Sequence, residues 1–208
     1  MAITSYAGLQ GSVSTWAVRQ GDPDFASAVP DFVAFTESLL NHGSQEMAPL
    51  RVREMEAVAT LTLDADGAVN LPEDYLEYRS VQVAGYPLAF LTPDEFVTRE
   101  TNGETGAGFF TIQDGSLRVL GGADLELTLL YYQTIPALSD TNTSNWLLAK
   151  APNVYLFGSL THAAPFMGDD ARVALWAQMF TTAVAGLRAS DQRGRYARVA
   201  MRVGGHTP

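Results

Sequence analysis

The sequence predicts an α+β fold: a helical bundle drawn from the N- and C-terminal segments, with a small, mostly antiparallel β-sheet inserted between them. Three observations predict it. Before Gly43, apolar residues recur at three- and four-residue spacing, the mark of amphipathic helices. From Glu56 the period falls to two and β-branched residues accumulate, which favours strands. Beyond residue 137 helical spacing returns, and one segment there is apolar almost all the way round. The expected division is 1–55 with 137–190 as the bundle, 56–136 as the β-rich insertion, and 191–208 as a basic C-terminal tail. With 208 residues, 47% hydrophobic and 17% charged, the chain can bury a substantial core.

Each element has a local reason. Thr4 and Ser5 can cap a first helix whose apolar face is Tyr6, Leu9, Val13 and Trp16. Residues 20–24 (Gln-Gly-Asp-Pro-Asp) form a turn, and Pro30 suits the start of a second helix. Phe32, Phe35, Thr36, Leu39 and Leu40 line the buried face of that helix, and Gly43 ends it. Residues 57–63 alternate as a strand. Asp64, Asp66 and Gly67 turn into a short strand at 68–70. Pro72 opens a short helix over 73–78. Residues 81–83 and 88–91 are extended. Thr92, Pro93 and Glu95 form a strong helix start, with a capping box and proline in the first turn. That helix ends near Glu100, followed by a glycine-rich loop over 101–108. Residues 109–112 and 117–120 flank Asp114-Gly115 as a hairpin. Residues 125–132 are the clearest strand, with Leu125, Leu127, Leu129 and Tyr131 on one face.

The most informative stretch is 138–170. A polar turn leads into a helix, Pro152 starts the all-round apolar helix, and Gly168, Asp169 and Asp170 end it and cap the next. That last helix runs to about Ser190 with a stripe of Val173, Trp176, Phe180, Ala183 and Leu187. A helix apolar on every side must be covered by several neighbours, so this stretch points to packing and assembly. It holds no arrangement of nucleophile, base and metal ligands.

Charge and composition exclude several classes of function. The chain has no cysteine, which excludes disulfides, thiolate metal sites and cysteine nucleophiles. Neither a signal peptide nor a membrane-length apolar run is visible. The net charge is -10. Residues 1–185 hold 22 acids and 8 bases, whereas residues 186–208 hold five arginines and the single acid Asp191. An acidic body disfavours wrapping nucleic acid. An arginine-only tail suits pairing with carboxylates, which makes Arg193, Arg195, Arg198 and Arg202 docking candidates.

Among the histidines His42, His162 and His206, only His162, on the apolar helix, is a conceivable catalytic base. No serine elbow or positioned partner accompanies it, so a packing or interface role is favoured over hydrolase chemistry with Asp169 or Asp170. The Asp64, Asp66 and Gly67 cluster lacks the later ligands of a calcium loop. Gly103, Gly106 and Gly108 lack the lysine of a phosphate loop. No cofactor or metal is expected. Trp146, Tyr155, Phe157, His162 and Trp176 are candidates for the core or for an interface between subunits. A DNA-binding module acting through the arginine tail is the alternative reading.

The chain resembles the head–tail adaptor (connector) proteins of tailed bacteriophages and prophages. The resemblance is carried by residues 3–10, 29–33, 50–56, 71–79, 130–132 and 135–140. It is strongest at residues 145–148 (Asn-Trp-Leu-Leu) and 152–160 (Pro-Asn-Val-Tyr-Leu-Phe-Gly-Ser-Leu), followed by residues 164–167, Asp170 and Arg172. It implies a non-enzymatic structural protein of the virion neck, found in the host cytoplasm before assembly. It further implies a homo-oligomeric ring of twelve subunits beneath the portal protein. Such a ring would extend the DNA channel, present a platform for tail or neck proteins, and let DNA pass without specific binding. No membrane is involved.

Overall fold

The computed structural model describes residues 3–168 and 170–196. In chain order the elements are α1 (Tyr6–Trp16), α2 (Pro23–His42), β1 (Glu56–Thr62), β2 (Ala68–Asn70), β3 (Tyr75–Val83), β4 (Tyr86–Pro87) and β5 (Ala89–Phe90). They continue with α3 (Pro93–Thr101), β6 (Phe109–Gln113), β7 (Ser116–Val119), β8 (Glu126–Gln133), α4 (Trp146–Lys150), α5 (Pro152–Phe166) and α6 (Asp170–Tyr196). This helix–strand–helix order is the α+β class that the sequence predicts. The chain divides into two compact units, one running to Glu54 and resuming at Ile135, the other Met55–Thr134.

The helical unit is organised around α5. Its buried residues Val154, Tyr155, Leu156, Leu160, Ala163 and Ala164 point in several directions, and α1, α2, α4 and α6 pack around it. Gly158 lets this happen at close range. A Cβ there would lie 2.9 Å from Thr36 Oγ1 and 3.0 Å from Phe180, so α2 and α6 both close onto α5 where it has no side chain. Ser5 caps α1 by accepting from Gly8 N at 3.2 Å, and Tyr6, Leu9 and Val13 are buried as expected. Trp16 is 46% exposed.

Three expectations for the helices need correction. The second helix starts at Pro23, not Pro30, because Asp22 caps it by accepting from Asp24 N and Phe25 N, each at 3.1 Å. Pro30 sits inside it, tolerated because the stripe Phe25, Val29, Phe32, Val33, Thr36 and Leu40 is buried without a break. Phe35, expected in that stripe, is 54% exposed. The last helix continues past Ser190 to Tyr196. An i,i+4 pair between Asp191 and Arg195 supports its final turns, and Gly194 leaves room for the Arg53 side chain. Asp169, expected to cap this helix, lies outside the described residues.

The β unit holds two four-stranded sheets, ordered β1-β8-β3-β4 and β2-β7-β6-β5. Among the described strands only β5 and β6 pair in parallel. Val81, Leu127, Leu129 and Tyr131 of the first sheet share a core with Phe110, Leu117 and Val119 of the second. The hairpin β6–β7 turns at Asp114 and Gly115, both at positive φ, as a two-residue loop requires. The capping box of α3 is complete: Thr92 Oγ1 accepts from Glu95 N, and Glu95 Oε2 accepts from Thr92 N. The short helix expected over 73–78 is instead a turn at 73–74 followed by the start of β3. Two register shifts, between Tyr75 and Glu77 and between Tyr78 and Ser80, break its period of two. Pairing with the central strand β8 overrides the local helical signal.

Candidate assembly surface

Beneath the surface of the helical unit is a buried polar network that fixes where α5 sits. Glu37 of α2 is 6% exposed. Its Oε1 accepts from Leu138 N at 3.0 Å and from the Tyr155 hydroxyl at 2.8 Å. The Asn145 amide nitrogen donates to the Tyr155 oxygen and to Pro136 O, both at 2.7 Å, while its Oδ1 caps α4 by accepting from Leu148 N. One turn along α2, Asn41 Oδ1 accepts from Ile135 N at 3.0 Å. Burial pushes the Glu37 carboxyl above its usual range, against the two donors that favour its charge. Burial, together with the neighbouring Glu37 carboxyl, pushes the Tyr155 hydroxyl far up, so it stays a donor. Tyr155 therefore belongs to the chain's own core.

A second anchor holds α6. Asp191 is 3% exposed and accepts from Arg53 Nε and Arg195 Nε, each at 2.8 Å, and from Arg53 N at 3.3 Å. Burial works to raise its carboxyl, but the Arg53 and Arg195 donors outweigh it and hold the carboxyl below the usual range. Arg188 donates to Ala48 O and Pro49 O, and Lys150 pairs with Glu54. Arg195 thus lies in α6 and is already committed to Asp191. Arg193 is exposed on the same helix, and Arg198 and Arg202 lie outside the described residues. In the sequence Asp191 stands out only as the single acid among the C-terminal arginines. Its partner is 138 residues away, and no local signal marks it. Glu37 did leave a trace, as a carboxylate inside the buried helical stripe Val33, Thr36 and Leu40.

The remaining candidates range from buried to half-buried. Trp16, Phe157 and Trp176 form a trio with ring centroids 5.9, 5.9 and 6.3 Å apart. Trp176 is buried and Phe157 half-buried. His162 is half-buried with its ring 5.7 Å from that of Phe35. Its Nε2 is buried with no hydrogen-bond partner among the described residues, and burial lowers its pKa. Nothing there positions it as a base. Trp146 is half-buried, its Nε1 likewise without a partner. Among the described residues, no group of three or more His, Asp or Glu side chains could hold a metal ion.

Between α5 and α6 runs an open groove of about 680 Å³. Phe157, Ala183 and Leu187 lie on its inner side, and Leu175, Thr182 and Gly186 on its outer side. A groove of this size, with apolar residues on its inner side and Lys150, Asn153, Gln178 and Thr182 among its lining, suits an amphipathic helix or a large anchoring side chain.

The model of the SU10 adaptor protein family, a phage head–tail adaptor family, matches residues 4–203. The chain belongs to that family. The match spans both units, so the β-rich insertion is part of the adaptor and not an appended domain. No curated protein matches the chain. The adaptor is a phage structural protein, and no described helix is long and apolar enough to cross a membrane. Its charge is divided sharply. Residues 55–134 hold 13 acidic and 3 basic residues, whereas the rest of the chain holds 10 of each, so the whole net charge of -10 falls in the β unit.

Proposed function

We propose that this adaptor works without catalysis in the virion neck, as a ring of twelve copies docked beneath the portal protein. The ring extends the DNA channel and offers the tail or neck proteins a platform. The family match over residues 4–203 carries this reading. The helical unit supports it, since it couples a doubly anchored core to an open, partly apolar groove that offers a surface to neighbours. Arg198 and Arg202, past the end of α6 in the sequence, dock on acidic portal surfaces, while Arg195 mainly secures the helix end through Asp191. The β unit, with its excess of ten negative charges, faces the tail machinery. Acidic surface along the channel makes no lasting contacts to phosphate, so DNA passes through.

Sedimentation of the purified adaptor with portal assemblies tests the reading. The adaptor should co-sediment and saturate at one copy per portal subunit. An adaptor left in the supernatant at every concentration contradicts it.

A further inference from the structure

Two surfaces of the helical unit match each other. On α6, residues 175, 179, 182, 186, 190 and 193 recur at three- and four-residue spacing and so share one face. That face is apolar at Leu175 and Met179, small at Gly186 and Ser190, and cationic at Arg193. On α2, Asp24, Ser27, Asp31, Ala34, Phe35 and Ser38 share the outer face and are all exposed. Phe35 is the one large apolar side chain among these six. It is braced from behind by His162 and surrounded by small residues. Asp24 and Asp31 supply the acids.

We propose that the α5–α6 groove receives the outer face of α2 from a second copy of this chain, with Phe35 as the anchor beside Phe157 and Met179. Charge sets the direction. With α2 antiparallel to α6, Phe35 meets the apolar end of the groove while Asp24 approaches Arg193. The spacings are comparable: 11 residues from Asp24 to Phe35 span about 16 Å of helix, 14 from Met179 to Arg193 span about 21 Å, and the long Arg193 side chain covers the difference of about one turn. The two surfaces are different patches of one unit, so the contact is heterologous. Its repetition does not stop at a two-fold dimer, and on the portal it closes a ring. An aromatic anchor seated in a groove and rimmed by small residues is the usual form of an energetic centre at such a contact. The inference rests on the ring reading and names the surface that closes the ring.

The absence of cysteine makes the contact directly testable. Ala34→Cys and Thr182→Cys, combined in the full chain, are assembled on portal and treated with a short bis-maleimide. The result expected is a ladder of covalent dimers, trimers and larger multimers, with neither single variant forming one. A companion variant, Phe35→Asp, should keep the wild-type melting temperature and lose at least tenfold in ring occupancy on portal. Rings in which the double variant stays monomeric overturn the contact and leave the ring reading standing. Dimers from Ala34→Cys alone, pointing to a two-fold contact, also overturn it, as do crosslinks only to portal. If no ring forms on portal even with the wild-type chain, both readings fall.

Discussion

Glu37 shows how much a single buried carboxyl organises. It joins α2 to α5 through Tyr155 and holds the returning chain at Leu138. Because burial raises its pKa above the ordinary 4.5, the folded state keeps this proton to higher pH than the unfolded state. Its contribution to stability is complete below the ordinary value and falls as pH climbs through the folded value. Asp191 has the opposite sign: its pKa is lowered from 3.8, so its contribution is present above that value and is lost as pH falls through the folded one. Urea midpoints over a pH series separate the two. Glu37→Gln should gain on the wild type as pH rises from about 4 to about 7. Asp191→Asn should be less stable at neutral pH by about 1–3 kcal/mol, with the deficit shrinking in acid. Gly158→Ala is a sharper packing test. Helix propensity alone would favour alanine by about 1 kcal/mol, but the new methyl would press on Thr36 and Phe180. We expect a net loss of about 1–2 kcal/mol in chemical denaturation. Tyr155 was recognisable from sequence as core or interface. Its pairing with Glu37 was not, because a hydrogen bond across 118 residues leaves no mark beyond a carboxylate inside the buried stripe of α2.

Elements defined by local chemistry were legible: the cap of α1, the capping box of α3, the Asp114-Gly115 hairpin and the alternation of β8. Those that depend on distant partners were not. β3 hides its period behind two bulges and becomes a strand only because β8 pairs with it. The sequence ends α6 near Ser190, because the support for its last turns comes from Arg53 on another segment. The start of α2 was obscured because Pro23 and Pro30 both suit a first turn, and the buried Phe25 and Val29 decide between them. Asp22→Ala should therefore cost about 1 kcal/mol, read from the urea midpoint, as expected of a lost N-cap. A helix beginning at Pro30 would leave that substitution silent.

Across the whole molecule, the partition of charge and the position of Asp191 shape how partner binding must be tested. Cutting the chain after Ser190 removes Asp191 and Arg195, and so destroys the fastening of α6 to Arg53 as well as the arginines beyond. Cutting after Tyr196 keeps that fastening and removes only Arg198 and Arg202 among the arginines. The second truncation should melt within a degree or two of the full chain and bind portal more weakly. Equal binding would exclude those two arginines from docking. The central proposal is that this chain forms a ring on the portal, and the family match supports it. Negative-stain imaging of the adaptor mixed with portal tests that claim most directly. The account predicts portal particles extended by one further ring of density coaxial with the channel, and portal particles of unchanged length at saturating adaptor would contradict it.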